Sequence, residues 1–294
     1  MINIVGGSGF IGFYFAKYFR SINTDFKIID IRKTFPENNW NFGDVRNIKN
    51  LQDQLEGDTI LHLAAEHKDN VKPESLYYQT NLEGAKNLCK IADKKNIYNI
   101  IFFSSVAIYK SKKKKNHYGK SKFQSEKVFI NWFKKDPTKK KLIIIRPTAV
   151  VGDGNIGNLN NLKKISQKPF FFLPYCGNNR KSLCTVRNLV NFTYKCLKSE
   201  RRLIISNYVD KPDLSVKDII NIIETKYKKK IFKINLSYQI ALKFFIFLND
   251  ITFRKVTFLK RIEQLMTPSV FKTYNKIINF DPDEDLKKEL TNFL

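Results

Sequence analysis

The chain has 294 residues, 43% of them hydrophobic, and carries 53 Lys and Arg against 27 Asp and Glu, a net charge of +26. That length can bury a large core and suits one doubly wound domain with a smaller appended lobe. No run reaches the eighteen or so apolar residues of a membrane span, and the first residues lack the basic start and cleavage site of a signal peptide, so a cytoplasmic protein is expected.

Clustered lysines attract phosphates, but here lysine is spread along the whole chain beside abundant Asn, Ile and Phe. These are residues of A/T-rich codons, so genomic base bias could generate much of the charge without selection for a polyanion. No recognition helix or stacking motif accompanies it, and no specific nucleic-acid partner is expected. Cys89, Cys176, Cys184 and Cys196 show no Cys-x-x-Cys spacing, and His62-Leu-Ala-Ala-Glu66-His67 fits no standard helical zinc arrangement. No metal is expected.

In chain order, Ile2 to Val5 reads as a buried strand, the glycine turn leads into a helix through Phe19, and Phe26 to Asp30 is the next strand. This is a βαβ unit of about thirty residues. Further strands are predicted at Thr59 to Leu63, Asn99 to Ser104 and Leu142 to Arg146, with helices at Leu76 to Ala92 and Tyr118 to Phe133. The alternation predicts an α/β fold, a Rossmann-type doubly wound parallel sheet with a smaller C-terminal lobe for substrate. The sheet domain is expected over residues 1–150, rejoined at about 183–210, with 151–294 mainly the second lobe. Beyond Pro147 a glycine loop precedes a strand at Leu203 to Ser206, and Ser215-Val-Lys-Asp218 resembles a capping box for a helix through Ile223. Ile240 to Leu248 is an apolar run suited to a core helix of the smaller lobe. The four lysines Lys112 to Lys115 suit a solvated loop.

Two segments carry chemistry. Gly6, Gly9 and Gly12 recur at three-residue spacing, while Gly7, Gly9 and Gly12 also satisfy Gly-x-Gly-x-x-Gly. Either register bares backbone N–H groups to a pyrophosphate at a helix N-terminus, with Phe10 and Ile11 in the same turn. Asp30 ends the second strand eighteen positions after Gly12, where a carboxylate accepts hydrogen bonds from ribose hydroxyls and favours NAD. Arg32 could instead bind a ribose 2′-phosphate, which leaves NADP as the lesser alternative. Downstream, Tyr118 and Lys122 lie one helical turn apart on one face. A free phenol, with a pKa of about 10, is a poor base at neutral pH, and a nearby ammonium together with a positive nicotinamide ring favours its ionised form. Ser104 and Ser105, at the carboxyl end of a strand, offer a hydroxyl to the reacting oxygen.

The motifs Gly6-Gly-Ser-Gly-Phe-Ile-Gly12, Gly43-Asp44-Val45, His62-Leu-Ala-Ala65, Asn81-Leu-Glu-Gly84, Ser104-Ser-Val-Ala-Ile-Tyr109, Tyr118-Gly-Lys-Ser-Lys122 and Arg146-Pro-Thr-Ala-Val-Val-Gly152 run in collinear order. They resemble those of the extended short-chain dehydrogenase/reductases, specifically the NAD-dependent epimerase/dehydratase group typified by UDP-glucose 4-epimerase, over at least the first 190 residues. The resemblance implies a catalytic Ser105, Tyr118 and Lys122, with Asp44 and Val45 near adenine. It places Leu63, Ala64 and Ala65 beside the cofactor and Asn81 on its nicotinamide side. Gly177 to Val186 resembles the segment where the family sets a basic residue on the substrate diphosphate, so Lys181 and its neighbour Arg180 are candidates. The implied reaction is 4-epimerisation of a UDP-hexose or UDP-N-acetylhexosamine in a homodimer. The alternatives are one-way reduction of a 4-keto nucleotide sugar by NAD(P)H and a non-catalytic dinucleotide sensor on the same fold. Val106 and Ala107 stand where 4,6-dehydratases carry an acidic pair, which argues against elimination of water. The stretch from Ser105 to Tyr118 is shorter than in the typical epimerase and rich in lysine.

Overall fold

A computed structural model describes residues 1–34, 39–68, 71–112, 116–155, 169–174, 177–236, 269–273 and 278–294. The Ile240 to Leu248 run, Lys113 to Lys115, Gly157 and Cys176 lie outside the described residues.

Seven parallel strands form the main sheet: β1 (Ile2–Val5), β2 (Phe26–Asp30), β3 (Trp40–Phe42), β4 (Thr59–His62), β5 (Asn99–Phe103), β6 (Lys141–Pro147) and β10 (Leu203–Tyr208), in the order β10-β6-β5-β4-β1-β2-β3. β1 and β4 are buried at every position, as a sheet covered on both faces requires. Their pairing, Ile4 opposite Leu61 and Val5 opposite His62, makes the point where the strand order reverses, and ligands of such sheets bind beyond the carboxyl ends there.

Helices pack on this sheet: α1 (Phe10–Ser21), α2 (Ile48–Gln54), α3 (Ser75–Tyr77), α4 (Gly84–Lys95), α5 (His117–Lys134) and α6 (Val186–Lys198). Under one face of it Phe102, Phe129, Trp132, Leu88, Ile100 and Ile144 share a core. Each fully buried side chain of this kind contributes roughly 1.5–3 kcal/mol. The single helix expected over Leu76 to Ala92 is instead interrupted by a π-helical turn, Tyr78–Glu83, between α3 and α4. Apolar spacing cannot register the extra residue of a π turn, which often marks a functional site. α4 stops at Asn96 in the left-handed region, φ 57°, which suits Asn as a C-cap.

By internal contacts the chain divides into two units. The first comprises Met1–Thr148, Val186–Tyr208 and Thr273–Asp281. Its third segment does not figure in the sequence expectation. The second comprises Ala149–Thr185, Val209–Lys272 and Pro282–Leu294. Within it, β7 (Ala149–Val151), β9 (Arg180–Thr185) and β11 (Asp210–Ser215) form a mixed sheet in the order β11-β9-β7, and β8 (Phe170–Pro174) pairs with β12 (Phe232–Leu236). Helices α7 (Val216–Tyr227) and α8 (Leu286–Phe293) share its core through Ile220, Ile223, Leu286 and Leu290. The capping box at the start of α7 forms: the Ser215 hydroxyl accepts from Asp218 N at 3.0 Å and Asp218 accepts from Ser215 N at 2.8 Å. Among the described residues no helix is long and apolar enough to cross a membrane.

Candidate active site

The turn after β1 assigns each glycine a separate task. Gly6 has φ +84°, and a Cβ there would lie 2.5 Å from Ala64 Cα, so the turn passes directly under the segment following β4. Leu63 N and Ala64 N both donate to Val5 O, at 2.7 and 2.9 Å, which ties Leu63, Ala64 and the glycine turn together. Gly12 presses α1 onto the turn, since a Cβ there would meet Gly7 C and Cα at 2.6 Å. Gly9 is different. It is the exposed N-cap of α1, and an added Cβ would touch only Gly6 O, at 3.4 Å. The open position thus stands at the helix N-terminus, where the N–H groups of the first turn, Phe10 to Gly12, have no partner inside the helix.

Asp30 Oδ2 accepts from Ser8 N and Oδ1 from Arg32 N, both at 3.1 Å, so the carboxylate sits against the glycine turn. The Arg32 side chain is exposed. Asp44 is clamped by Arg46, whose Nε and Nη2 reach it at 2.9 and 2.6 Å. These bonds from Arg46 hold its carboxyl below the usual range, against an opposing effect of burial. Val45 is buried in the sheet core, and a Cβ on Gly84 would meet its side chain at 3.0 Å. Asn81, 1% exposed in the π turn, uses its whole amide. Its Oδ1 accepts from Glu66 N at 2.8 Å, and its Nδ2 donates to Glu66 O at 3.0 Å and to Ser121 Oγ at 2.8 Å. It therefore fastens the segment containing Ala65 to helix α5.

β5 ends at Phe103, and the next two serines diverge. Ser104 is buried with its hydroxyl unpartnered among the described residues. Ser105 caps a 3-10 turn, Val106–Lys110, accepting from Ala107 N at 3.1 Å, and its hydroxyl is near enough to Tyr118 to favour the ionised phenol. Structure thereby selects Ser105 as the neighbour of the phenol. Tyr118 is placed by the start of α5, where the Asn116 side chain accepts from Gly119 N at 2.9 Å. Burial pushes the phenol up to about 12, and Ser105 acts in the opposite direction. Lys122, 2% exposed, donates to Phe103 O at 2.7 Å and stands 4.6 Å from the centroid of the Phe102 ring. Burial draws its ammonium down to about 7, opposed by Glu126. The expected ammonium lies one helical turn from the tyrosine, and it is turned to a carbonyl. Arg180 and Lys181 lie on β9 of the second unit, Arg180 exposed and Lys181 half-buried.

These features together describe a crevice for a dinucleotide: a glycine cradle that side chains would fill, a carboxylate fixed beside it, and, on the same sheet, a serine–tyrosine pair with a buried lysine one helical turn on. The comparisons agree. The model of the NAD dependent epimerase/dehydratase family matches residues 2–204. The chain belongs to the NAD-dependent epimerase/dehydratase family. It is an enzyme of sugar epimerase or oxidoreductase type with NAD as its cofactor, and the residues of the cradle fit that cofactor. Over 255 residues the chain is 38% identical to N-acetyl-alpha-D-glucosaminyl-diphospho-ditrans,octacis-undecaprenol 4-epimerase of Escherichia coli O157:H7, covering 81% of this chain and 76% of that relative. It is 26% identical over 222 residues to UDP-glucose 4-epimerase of Vibrio cholerae, 67% of this chain and 66% of the other. In fold it is similar to UDP-N-acetylglucosamine 4-epimerase of Bacillus cereus, with a TM-score of 0.75 at 16% identity, covering 99% of this chain and 94% of that one.

Glu126 is not among the residues read from the sequence, and Arg146 enters there only as the end of a strand and the first residue of a motif, with no role. The buried Glu126 and the half-buried Arg146 form an ion pair at 2.6 Å, one helical turn on from Lys122. The signal was there in the repeat of four that runs Tyr118, Lys122, Glu126.

Proposed function

We propose that this protein is a 4-epimerase acting on a hexose or N-acetylhexosamine joined to a diphosphate. The observation that supports it is Ser105 beside Tyr118, with the buried Lys122 one helical turn on, in the unit that holds the glycine cradle. Bound NAD supplies reversible hydride acceptance. Within that chemistry Tyr118 takes the proton of the C4 hydroxyl and later returns it to the 4-keto oxygen. Ser105 hydrogen-bonds the same oxygen, and Lys122, as an ammonium, offsets the phenolate and holds the ribose. With its phenol pushed up to about 12, Tyr118 is protonated at neutral pH in the ligand-free protein, so base catalysis needs positive charge brought close to it. Gly6, Gly9, Phe10, Ile11, Gly12, Asp30, Asp44 and Asn81 are assigned to the cofactor side, and Arg180 and Lys181 to the substrate diphosphate.

Two carriers share the sugar diphosphate: uridine and a polyprenol. The higher identity and wider coverage of the relative named for an undecaprenol-linked sugar favour the polyprenol. On that reading the protein works from the cytoplasm on a substrate anchored in a membrane. The test is to incubate the NAD-loaded protein with N-acetylglucosaminyl-diphospho-undecaprenol and, separately, with UDP-N-acetylglucosamine and UDP-glucose, and to identify the sugar by proton NMR. Inversion at C4 of the lipid-linked sugar is expected, and inversion of the UDP-sugars alone returns the choice to uridine. Net consumption of added NAD(P)H with a 4-keto sugar would establish the reductase instead. Tyr118→Phe should lower kcat on the order of 10³-fold with NAD still bound, and undiminished turnover would refute the mechanism. Two copies are expected to pair through the faces of α4 and α5, which sedimentation velocity tests.

A further inference from the structure

Tyr118, Lys122 and Glu126 recur every fourth residue on α5 and share one face. Like Lys122, Glu126 is 2% exposed, and a carboxylate so far from water needs a matching charge. Arg146 of β6 supplies it in a fork: Nε donates to Oε1 at 2.9 Å and Nη2 to Oε2 at 2.6 Å. The guanidinium is held in turn, since its Nη1 donates to the Tyr109 hydroxyl at 3.2 Å and that hydroxyl donates to Asn207 Oδ1 at 2.9 Å. Tyr109 belongs to the 3-10 turn that Ser105 caps, and Asn207 to β10. The pair is thus positioned from four elements, α5, β6, the 3-10 turn and β10.

The charges can be counted. Lys122 and Arg146 are two cations; Glu126 is ion-paired with Arg146 and is the anion whose charge also favours the ammonium of Lys122, a net of one positive charge. The other titratable group facing Lys122 is His62 of β4, stacked on Phe102 at 5.5 Å with both ring nitrogens unpartnered among the described residues. Burial, and then the charge of Lys122, keep that imidazole neutral, so it contributes no anion. Tyr118 itself is un-ionised before ligands bind.

We propose that Glu126, fixed by Arg146, is a positioning residue that keeps Lys122, one helical turn from Tyr118, a charged ammonium. The proposal rests on reading Tyr118 and Lys122 as the proton-transfer pair. Burial alone favours a neutral amine there, and Glu126 is the group that acts against it.

The test uses the full chain with two readouts: the pH profile of kcat on N-acetylglucosaminyl-diphospho-undecaprenol, and the pH dependence of unfolding stability without ligand. Glu126→Gln removes the anion that favours the ammonium and leaves the Arg146 charge unneutralised, so Lys122 should lose its proton about one pH unit lower, with kcat down about tenfold at pH 8 and less at pH 6. Arg146→Gln leaves Glu126 with Lys122 as its sole counter-charge and should move the same transition to higher pH. The double variant restores the net charge and should return the transition towards the wild-type position. A purely structural role predicts losses of the same direction in both single variants at every pH, and that result, or an unshifted transition in folded Glu126→Gln, overturns the proposal. If Glu126→Gln does not fold, the upward shift in Arg146→Gln decides in favour, and its absence decides against. Lys122→Met separates the levels: full turnover there overturns the reading of the site, whereas an inactive Lys122→Met with unshifted Glu126→Gln and Arg146→Gln overturns this inference alone.

Discussion

Three alanine substitutions in one turn should fail in three different ways. At Gly12 a methyl carbon would stand 2.6 Å from Gly7 C and Cα and closer still to Gly7 O, and ordinary contact begins at 3.4 Å, so α1 must retreat from backbone that cannot yield. Overpacking of this kind costs roughly 1–3 kcal/mol. At Gly6 the methyl meets Ala64 Cα at 2.5 Å and the backbone is held at φ +84°, so about 1–2 kcal/mol of left-handed strain adds to the clash. At Gly9 the methyl finds only Gly6 O at 3.4 Å, and stability should stay within about 0.5 kcal/mol of wild type. Gly9 is nevertheless where a phosphate would approach the N-terminus of α1, and Gly9→Ala should weaken NAD binding about tenfold or more. Urea unfolding of each variant, followed by calorimetric titration with NAD, reads both quantities. Gly9→Ala binding NAD as wild type does, or Gly12→Ala as stable as wild type, would refute this division of labour.

Asp30→Asn removes the negative charge and leaves one oxygen to accept from either Ser8 N or Arg32 N but not both, so the preference for NAD over NADP should shrink about tenfold. An unchanged ratio of dissociation constants would show that Asp30 does not face the ribose. Lys122 is drawn to about 7 by burial, while an unfolded lysine titrates near 10.4, so between those values the unfolded chain binds the extra proton and stability rises with pH, by at most about 1.4 kcal/mol per unit. Lys122→Met should flatten that rise between pH 7 and 9, and parallel stability curves for the two proteins would contradict a buried ammonium. Asn81→Ala strands Glu66 N and Glu66 O, and unfolding measurements should show a loss of about 1–3 kcal/mol; a change below about 0.5 kcal/mol would mean that water replaces the amide without penalty.

Much of the sheet was legible because its strands are short apolar runs whose period is set locally. β1 and β2 fall where read, and β4, β5 and β6 differ by a residue at one or both ends. The strands β3, β7, β9 and β11 and the helices α2 and α6 were not read. Trp40–Phe42 and Ala149–Val151 are only three residues each, and β11 contains Asp, Lys and Pro, so no local period reveals them.

The linear order of residues determined by itself that glycines follow a strand, that a carboxylate ends the next one, and that a phenol and an ammonium share a helix face, because each of these is a matter of local spacing. Tertiary structure decided which glycine is open, that Ser105 and not Ser104 meets Tyr118, that Asn81 spends its amide on the loop after β4, and that Arg146 neutralises Glu126 from twenty residues away. Those are distances between segments remote in the chain, set by the packing of α5 on the sheet, and spacing along a sequence does not carry them.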